Sequence, residues 1–172
     1  MRNDNELKLA INSSVIAIFV LYANIFSLAE IMEKAREKDK LLFVHIDLLE
    51  GIGKDKMGLR YLAENDLCDG IVTTKSNLIK TAKKEGLMTI QRLFLLDSAS
   101  LRSGANILND NQADAVEILP GIAAPYFIEH IECSLECPVI AGGLITERNE
   151  VEEVIAKGVL AVSSSNKELW NW

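Results

Sequence analysis

Apolar runs of strand length alternate with amphipathic stretches along the chain, starting at Val15. The runs predict seven β-strands, at residues 15–22, 41–48, 70–73, 88–94, 115–119, 139–142 and 159–163. Their starts recur roughly every twenty to thirty residues, which is the spacing of strand–helix units. Strands joined through helices pair in parallel with right-handed crossovers, so the pattern predicts either a (β/α) barrel or a doubly wound sheet.

The stretches between the strands contain helix start and stop signals. Ser76 is predicted as the N-cap of a helix over residues 77–85, and Gly86 as the residue just after its end. Thr146 is predicted to cap a later helix, whose apolar stripe stops before Gly158. No linker or low-complexity tract divides the chain, so we expect one domain.

Two turns of small residues follow the last two predicted strands, formed by Gly142 and Gly143 and by Ser164, Ser165 and Asn166. A Gly-Gly turn lets backbone N–H groups approach a ligand without a Cβ atom in the way. A Ser/Asn cluster that opens a short helix adds hydroxyl groups and free N–H groups. In a (β/α)8 barrel the phosphate site lies after the last two strands. The two turns therefore favour the barrel and predict a small phosphorylated ligand.

A TIM-type barrel needs eight strands, and the pattern predicts seven. Residues 1–14 are predicted to form a helix that begins almost at the first residue, so the fold expected is a single (β/α) barrel domain over residues 1–172 that lacks the first strand. Three explanations stay open: the natural chain lacks this strand, the strand lies upstream, or a partner supplies it. Open sheet edges tend to pair with other chains, so a homo-oligomer is one expected outcome.

Polar residues interrupt the apolar strands at the end where a barrel binds ligands. The two-residue alternation places His45 and Asp47 on the inward face of the second strand, near its C-terminal end. Glu117 is a polar residue in another apolar strand, and Gln91 and Arg92 are its candidate partners. Alternation alone leaves open whether Gln91 or Arg92 faces inward. Buried polar groups need partners, so these residues are either satisfied structural groups or part of a binding mouth.

Lys75 lies just past a strand end, where barrel enzymes place a Schiff-base or phosphate-binding lysine. Its position fits an exposed loop residue, a ligand-binding lysine or a nucleophile. A second hypothesis for the whole chain is therefore a barrel enzyme, an isomerase or aldolase acting on a small phosphorylated metabolite. Lys75, Asp47 or Glu117 would then serve as nucleophile or acid/base. A third hypothesis is a truncated relic that binds nothing.

The composition narrows the functional class. The hydrophobic fraction of 49 % can fill a core, and the low aromatic fraction of 6 % fits parallel strands buried on both faces. The net charge of −7 argues against a broad nucleic-acid footprint. An RNA site would need a local basic patch, for which the candidates are Lys75, Lys80, Lys83 and Lys84 and, on another segment, Lys54, Lys56 and Arg60.

The remaining composition points to a cytoplasmic protein without a metal. The longest apolar run, residues 15–29, is shorter than the ~20 residues of a membrane span. Acidic residues stand where the basic region of a signal peptide should be. Three cysteines are too few for a disulfide framework and are predicted to be small apolar fillers. With two histidines far apart in the chain, no metal site is expected.

The ordered set of motifs resembles the glycerol-3-phosphate-responsive antiterminators, also called glycerol uptake operon antiterminator regulatory proteins. The matching segments are FVHIDL at residues 43–48, DGIVTTKS at 69–76, TIQRLFLLDS at 89–98, DAVEILPG at 114–121, VIAGG at 139–143 and AVSSSNKELW at 161–170. They span nearly the whole chain. The departure is at the front, where residues 1–3 are similar to the tail of the family's first strand.

The resemblance implies a TIM-type barrel that regulates transcription and is not an enzyme. It implies binding of glycerol 3-phosphate as effector, with no cofactor, and action on the leader mRNA of glycerol-utilisation genes to prevent termination. By position in the family pattern, the phosphate lies at Gly142, Gly143, Ser164, Ser165 and Asn166. The glycerol end is lined by His45, Asp47, Arg92 and Glu117. RNA binding rests on the resemblance alone.

Overall fold

Seven parallel strands form a nearly closed barrel in the computed structural model, which describes residues 3–131 and 137–171. The strands are β1 (Ala17–Val20), β2 (Leu41–His45), β3 (Gly70–Thr73), β4 (Met88–Phe94), β5 (Ala115–Leu119), β6 (Val139–Gly142) and β7 (Ala161–Ser163). The described α-helices are α1 (Asp4–Ile11), α2 (Leu28–Arg36), α3 (Lys56–Glu64), α4 (Ser76–Lys84), α5 (Ser98–Asn111), α6 (Ala124–His130) and α7 (Arg148–Ala156). Short 3-10 helices span Gly121–Ala123 and Lys167–Asn171.

Each strand pairs in parallel with the next strand in the chain, in the order β1 to β7. The predicted TIM-type fold of seven strands is therefore confirmed. Because side chains alternate along a strand, one set fills the inside of the barrel and the other meets the helices. The inner set includes Phe43, Val72, Ile90 and Ile140, which form one cluster. The outer set packs against the helices and includes the fully buried Ile71 and Ile118.

The two ends of the sheet are bridged by the first and last parts of the described chain. The Ser14 hydroxyl donates to the Trp170 carbonyl oxygen at 2.9 Å, and the Ser14 N–H donates to Asn171 Oδ1 at 3.2 Å. Trp170 also packs with Ile11 of α1 and Ile18 of β1 in one buried cluster. The predicted N-terminal helix is confirmed as α1, and it lies beside the last turn of the chain.

Three predicted strands extend beyond the observed ones. The first is Ala17–Val20 and not 15–22, and the last begins at Ala161 and not at residue 159. The second ends at His45 and not at residue 48. There the N–H groups of Leu48 and Leu49 turn back to the His45 carbonyl oxygen at 3.0 and 3.2 Å, so the chain curls into a turn although its side chains are apolar.

The helix stop signals are confirmed, and both start signals are wrong by one residue. Gly86 and Gly158 follow their helices with φ of +85° and +93°, the left-handed conformation that glycine tolerates best. Ser76 is the first residue of α4, and Lys75 is its N-cap. The N-cap of α7 is Glu147 and not Thr146. The Glu150 carboxylate accepts from the N–H groups of both residues.

Two further expectations concern single residues. The apolar role predicted for the cysteines holds for Cys68, which is buried in the core and has its thiol pKa raised to about 12 by that burial. Cys137 is half-buried. Cys133 and residues 1–2, which resemble the tail of the family's first strand, lie outside the described residues.

Candidate functional site

The C-terminal ends of the strands form a polar mouth. Parallel strands bring their C-terminal ends to one rim of a barrel, and there the predicted residues of β2, β4, β5, β6 and β7 meet. The contacts run continuously from Lys75 through Asp47 to His45 on one side and from Arg92 through Glu117 to Ser163 on the other. The structure therefore brings together the residues predicted for the glycerol end.

A buried ion pair crosses the inside of the barrel from β4 to β5. Arg92 Nε donates to Glu117 Oε2 at 2.6 Å, and the side chains are 11 % and 2 % exposed. The second carboxylate oxygen, Oε1, accepts from the Ser163 hydroxyl of β7 at 2.5 Å. Both oxygens of Glu117 thus have a protein partner, as a buried carboxylate requires. Glu117 orients Arg92, whose guanidinium makes no other hydrogen bond to the described residues.

Gly142 provides the space that this pair occupies. A Cβ atom on Gly142 would lie 2.6 Å from Glu117 Oε1 and 2.9 Å from Ser163 Oγ, closer than such atoms approach. The register places Gly142 directly opposite Ser163. Gly142 is therefore required at this position for close packing of the carboxylate, and the phosphate contact expected at Gly142 stays a prediction.

Gln91 faces the helices, which decides the alternative left open by the sequence. Its Nε2 donates to the Thr73 carbonyl oxygen at 3.2 Å, and its Oε1 accepts from Asn111 Nδ2 of α5 at 2.7 Å. The side chain is fully buried in the wall between sheet and helix layer. Arg92, the next residue, consequently points into the barrel.

Asp47 is held by the end of β3. Its Oδ2 accepts from the Thr73 hydroxyl at 2.8 Å and from the Thr74 N–H at 3.0 Å. Burial acts to raise the pKa of Asp47, but the hydrogen bonds from Thr74 and Thr73 and the charge of Lys75 together hold that pKa below its ordinary value. Asp47 is therefore ionised at neutral pH. Its other oxygen, Oδ1, lies 3.5 Å from Lys75 Nζ and accepts no hydrogen bond from the described residues.

His45 lies deeper in the mouth and is 5 % exposed. Its Nδ1 atom is buried without a hydrogen-bond partner among the described residues, and the nearest carboxylate oxygen, Asp47 Oδ2, is 3.9 Å away. Burial and the neighbouring positive charge of Arg92 lower the pKa of His45, so the imidazole is neutral at pH 7. An unpartnered buried nitrogen beside an unpartnered carboxylate oxygen leaves two hydrogen-bonding atoms for a ligand to satisfy.

The two predicted phosphate turns lie against each other. The Ser164 hydroxyl donates to the Ile145 carbonyl oxygen at 3.0 Å, and Asn166 Nδ2 donates to the Thr146 carbonyl oxygen at 2.6 Å. Ser164 Oγ also accepts from the Asn166 N–H at 3.1 Å. The side chains of Ser164 and Asn166 therefore join the β7 turn to the β6–α7 loop, which is a role that residue type alone does not reveal.

Backbone N–H groups of these turns remain without acceptors among the described residues. Gly143 has φ of +72°, and its carbonyl oxygen accepts from the Gly121 N–H at 2.8 Å. Within the described part of the chain, the Gly143 N–H and the exposed Ser165 form no hydrogen bond. The N–H groups of Thr146 and Glu147 at the start of α7 are not open, because both already donate to the Glu150 carboxylate. Donors for an anion are thus concentrated at Gly143 and Ser165.

The structure adds residues that the sequence analysis missed. Thr73 and Thr74 fix Asp47, and Ser163 binds Glu117. Ser163 begins the Ser-Ser-Ser run of which only the second and third members were predicted as site residues. Thr73 is the last residue of a predicted strand, and Thr74 directly follows it. Their position was visible in the sequence, but their partners lie 26 and 46 residues away along the chain.

Two general features were also searched in residues 3–131 and 137–171. In these ranges no group of three or more His, Cys, Asp or Glu side chains is placed to hold a metal ion. None of the helices described there is long and apolar enough to cross a membrane.

The fold and the site define a class: a TIM-like barrel with a polar mouth at the carboxyl ends of its strands. A family model, the glycerol-3-phosphate responsive antiterminators, matches residues 1–170. The chain therefore belongs to the glycerol-3-phosphate responsive antiterminator family. This family is regulatory, in agreement with the expectation that the chain is not an enzyme.

Individual relatives agree with this assignment. A crystal structure of a glycerol uptake operon antiterminator regulatory protein from Listeria monocytogenes has 32 % identity and a TM-score of 0.88, and the match covers 99 % of this chain and 91 % of that one. A related Thermotoga maritima structure has 28 % identity, a TM-score of 0.87 and coverage of 99 % and 94 %. The uncharacterized protein YgcP of Escherichia coli K12 is 34 % identical over 170 residues, 99 % of this chain and 88 % of YgcP.

Barrel enzymes share the fold at a greater distance. Orotidine 5'-phosphate decarboxylase from Pyrococcus horikoshii aligns with a TM-score of 0.65 at 14 % identity over 95 % of this chain and 88 % of the enzyme. Similarity at this level shows the fold alone, because one barrel architecture hosts many functions.

Proposed function

We propose that this chain binds glycerol 3-phosphate at the barrel mouth and, in that state, acts on leader mRNA to prevent termination of transcription of glycerol-utilisation genes. The observation that supports it most directly is the joining of the β6 and β7 turns by Ser164 and Asn166, next to a polar pocket. In this proposal the open backbone donors of the turns bind the phosphate, and the unsatisfied atoms of His45 and Asp47 bind the hydroxyl groups. A phosphate needs hydrogen-bond donors, and a short polyol needs atoms that form hydrogen bonds with its hydroxyl groups.

The phosphate is bound mainly by backbone N–H groups in this proposal. The side-chain charges of the mouth cancel, since Arg92 faces Glu117 and Lys75 faces Asp47. A phosphate therefore gains little from net charge and depends on directed N–H groups. Gly143 and Ser165 supply them, while Ser164 and Asn166 hold the two turns at a fixed separation.

Two cations remain close enough to assist. The terminal N–H groups of Arg92 are unused within the described structure, and Glu117 fixes the guanidinium plane. Lys75 has a side chain that is 54 % exposed and approaches Asp47 only to 3.5 Å, so it can turn toward an anion at small cost. Charge-assisted hydrogen bonds from these groups are stronger than neutral ones.

The glycerol end is proposed at His45 and Asp47. The neutral His45 imidazole has one buried nitrogen without a partner, and the ionised Asp47 has one oxygen in the same state. A hydroxyl group can donate to the Asp47 oxygen and can either donate to or accept from the imidazole nitrogen. Two adjacent hydroxyl groups of glycerol 3-phosphate would satisfy both atoms.

Binding is proposed to change the barrel's action on RNA by shifting a population of conformations. The β6 and β7 turns would be ordered further by the phosphate that bridges them. Among the basic candidates, Arg60 is paired with Glu64, Lys83 with Asp114, and Lys54 with backbone carbonyl oxygens. In the described structure this leaves Lys56 of α3 and Lys80 and Lys84 of α4 as the more available exposed cations. The proposed place of action is the cytoplasm, where transcripts are made.

Calorimetric titration of the purified chain with glycerol 3-phosphate tests the ligand, with glycerol and inorganic phosphate as controls. We expect saturable binding that Gly143→Asp abolishes, since this change puts a carboxylate and a strained backbone where the phosphate lies. Gly158→Asp is the matched control, because it creates similar strain at φ of +93° with no neighbour within 4 Å of the new Cβ. Unchanged binding in Gly143→Asp would refute the site.

A gel-shift titration of a leader RNA hairpin then tests the regulatory step. RNA affinity is expected to rise when glycerol 3-phosphate is added and to stay constant with glycerol. A folded protein that binds the ligand but shows the same RNA affinity with and without it would refute ligand-gated antitermination and leave the ligand site standing.

A further inference from the structure

Helix α4 is a basic element in an acidic chain. Residues 75–84, which are α4 and its N-cap, contain four of the 18 Lys and Arg residues and none of the 25 Asp and Glu residues. The whole chain has a net charge of −7, so this stretch is opposite in sign to the average of the protein. An acidic protein that binds a polyanion requires such a local concentration of cations.

Two of the four lysines form the outer face of α4. The apolar positions of the helix are buried against the barrel, and Lys83 turns to one side, where its Nζ forms an ion pair with Asp114 at 2.9 Å. Lys80 and Lys84 are exposed and lie four residues apart, so they share one face and are separated by about 6 Å along the helix axis. Neither forms an ion pair with any residue in the described part of the chain.

Other helices neutralise their exposed cations. In α2, α3 and α7 a cation pairs with an acidic residue four positions away: Glu30–Lys34, Arg60–Glu64 and Arg148–Glu152. At the same spacing α4 has two lysines, which repel each other and destabilise the helix slightly. The helix dipole favours cations in the last turn, which accounts for Lys84 but not for Lys80 in the middle of the helix. An anion bound at both lysines would remove the repulsion.

The helix begins at the barrel mouth. Its N-cap, Lys75, lies 3.5 Å from Asp47 Oδ1, and Asp47 Oδ2 accepts from the N–H of Thr74, the residue before the cap. A ligand at Asp47 would therefore contact the residues that start α4. From there the helix extends for nine residues, about 13 Å, along the outside of the barrel. The neighbouring α3 packs against α4 and begins with the exposed Lys56.

From these features we infer that the outer face of α4, formed by Lys80 and Lys84, binds the sugar–phosphate backbone of the leader mRNA, with Lys56 and Lys75 as further phosphate contacts toward the mouth. The inference rests on the proposed function, because it names the surface through which the antiterminator contacts its RNA. Phosphate contacts position a nucleic acid and make its affinity depend on salt. Part of that salt dependence should therefore belong to α4.

The test compares RNA binding by the native chain with binding by Lys80→Gln combined with Lys84→Gln. A fluorescein-labelled leader transcript of a glycerol-uptake gene from the same genome is titrated in saturating glycerol 3-phosphate and followed by fluorescence anisotropy from about 50 to 200 mM salt. We expect the double variant to bind at least tenfold more weakly at about 100 mM salt. The slope of log affinity against log salt should become less steep by about 1.4 to 1.8, since each phosphate contact contributes about 0.7 to 0.9.

Two further double variants are the controls. Lys38→Gln with Lys157→Gln changes the net charge by the same amount at exposed positions after α2 and at the end of α7, and it should bind RNA as the native chain does. Lys80→Arg with Lys84→Arg keeps both charges and should retain the affinity. Every variant should keep the native Kd for glycerol 3-phosphate and the native midpoint of thermal unfolding, because the substituted lysines are exposed and lie outside the mouth.

Three results would overturn the inference. The first is a native chain that binds the transcript while the Lys80→Gln, Lys84→Gln variant shows unchanged affinity and slope, which would leave the proposed function standing with its RNA surface elsewhere. If that variant also lost antitermination in a transcription assay, the face would be assigned to an acidic protein partner. The second is an equal loss in the Lys38→Gln, Lys157→Gln control, which would indicate only general electrostatics. The third is a native chain that binds no leader transcript, with or without glycerol 3-phosphate, which would refute the proposed function and this surface together.

Discussion

Arg92 Nε and Glu117 Oε2 lie 2.6 Å apart inside the barrel, with Ser163 completing the partners of the carboxylate. A pair buried to this degree is costly to break on one side, because the remaining charge stays buried without its partner. The same two residues stand opposite each other in the β4–β5 register. The pair therefore couples the stability of the barrel to the shape of its mouth.

Removal of one partner of this pair is expected to destabilise the fold strongly. Arg92→Met should lower the free energy of unfolding in urea by about 3 to 5 kcal/mol, since Glu117 loses its counter-charge. The double variant Arg92→Met with Glu117→Met should regain most of that loss, because an apolar pair of similar volume requires no desolvated charge. A double variant no more stable than Arg92→Met would contradict this account.

Stability is expected to depend on pH through His45. Its pKa is lowered in the folded state, so the unfolded chain binds more protons between the folded and the ordinary pKa near 6.5. The contribution is complete above the ordinary pKa and is lost as pH falls from there through the folded pKa. Urea unfolding measured from pH 7.5 to 5 should show this loss in the native chain and a flatter profile in His45→Asn. Parallel profiles would show that His45 does not cause it.

Lys75 is expected to assist anion binding without supporting the fold. Its side chain is half-exposed, and its distance of 3.5 Å from Asp47 is long for a strong pair. Lys75→Met should weaken glycerol 3-phosphate binding about tenfold in calorimetry, the loss of one charge-assisted contact, with little change in unfolding. Lys80→Met, an exposed α4 residue away from the mouth, is the control and should leave the Kd unchanged. Equal effects of the two variants would indicate only general electrostatics.

Trp170 is expected to report on the ligand. Its indole N–H donates to the Ser164 carbonyl oxygen at 2.9 Å, and Ser164 belongs to the proposed phosphate turn. In a Trp172→Phe background, glycerol 3-phosphate should therefore change the fluorescence of the single remaining tryptophan. Asn166→Ala in that background should reduce the change and weaken binding, because the two turns lose the contact at Thr146. A ligand that binds by calorimetry with constant fluorescence would contradict the coupling.

The inward orientation of a mouth residue was predictable from the sequence where polar and apolar residues alternate strictly along the strand. His45 ends a strand whose other face is apolar, so its orientation was predictable. Asp47 lies in the turn after that strand, where hydrogen bonds from Thr73 and Thr74 hold it in the mouth. Gln91 and Arg92 are adjacent polar residues, and only the contact of Gln91 with Asn111, 20 residues away, decides between them. Alternation contains no information about such partners.

The roles of the turn residues were less accessible to sequence reasoning. Ser164 and Asn166 have the residue types of an anion site, yet their side chains bind carbonyl oxygens of another loop 19 and 20 residues away. The predicted helix start at Thr146 was wrong for a related reason, since the Glu150 carboxylate reaches back and accepts from the N–H groups of Thr146 and Glu147. In both cases the hydrogen bond that forms has a partner outside the local pattern: a carbonyl oxygen of another loop in the first case and the Glu150 carboxylate in the second.

The hydrogen bond from Ser14 to the Trp170 carbonyl oxygen joins residues 156 positions apart. During synthesis on a ribosome the chain emerges from its N-terminus, so α1 and β1 are exposed long before Trp170 can reach them. The contact between the first and last described elements consequently forms only after Trp170 has been translated and has left the exit tunnel. Until then the apolar surface around Ile11 and Ile18 that Trp170 covers is a natural target for chaperones.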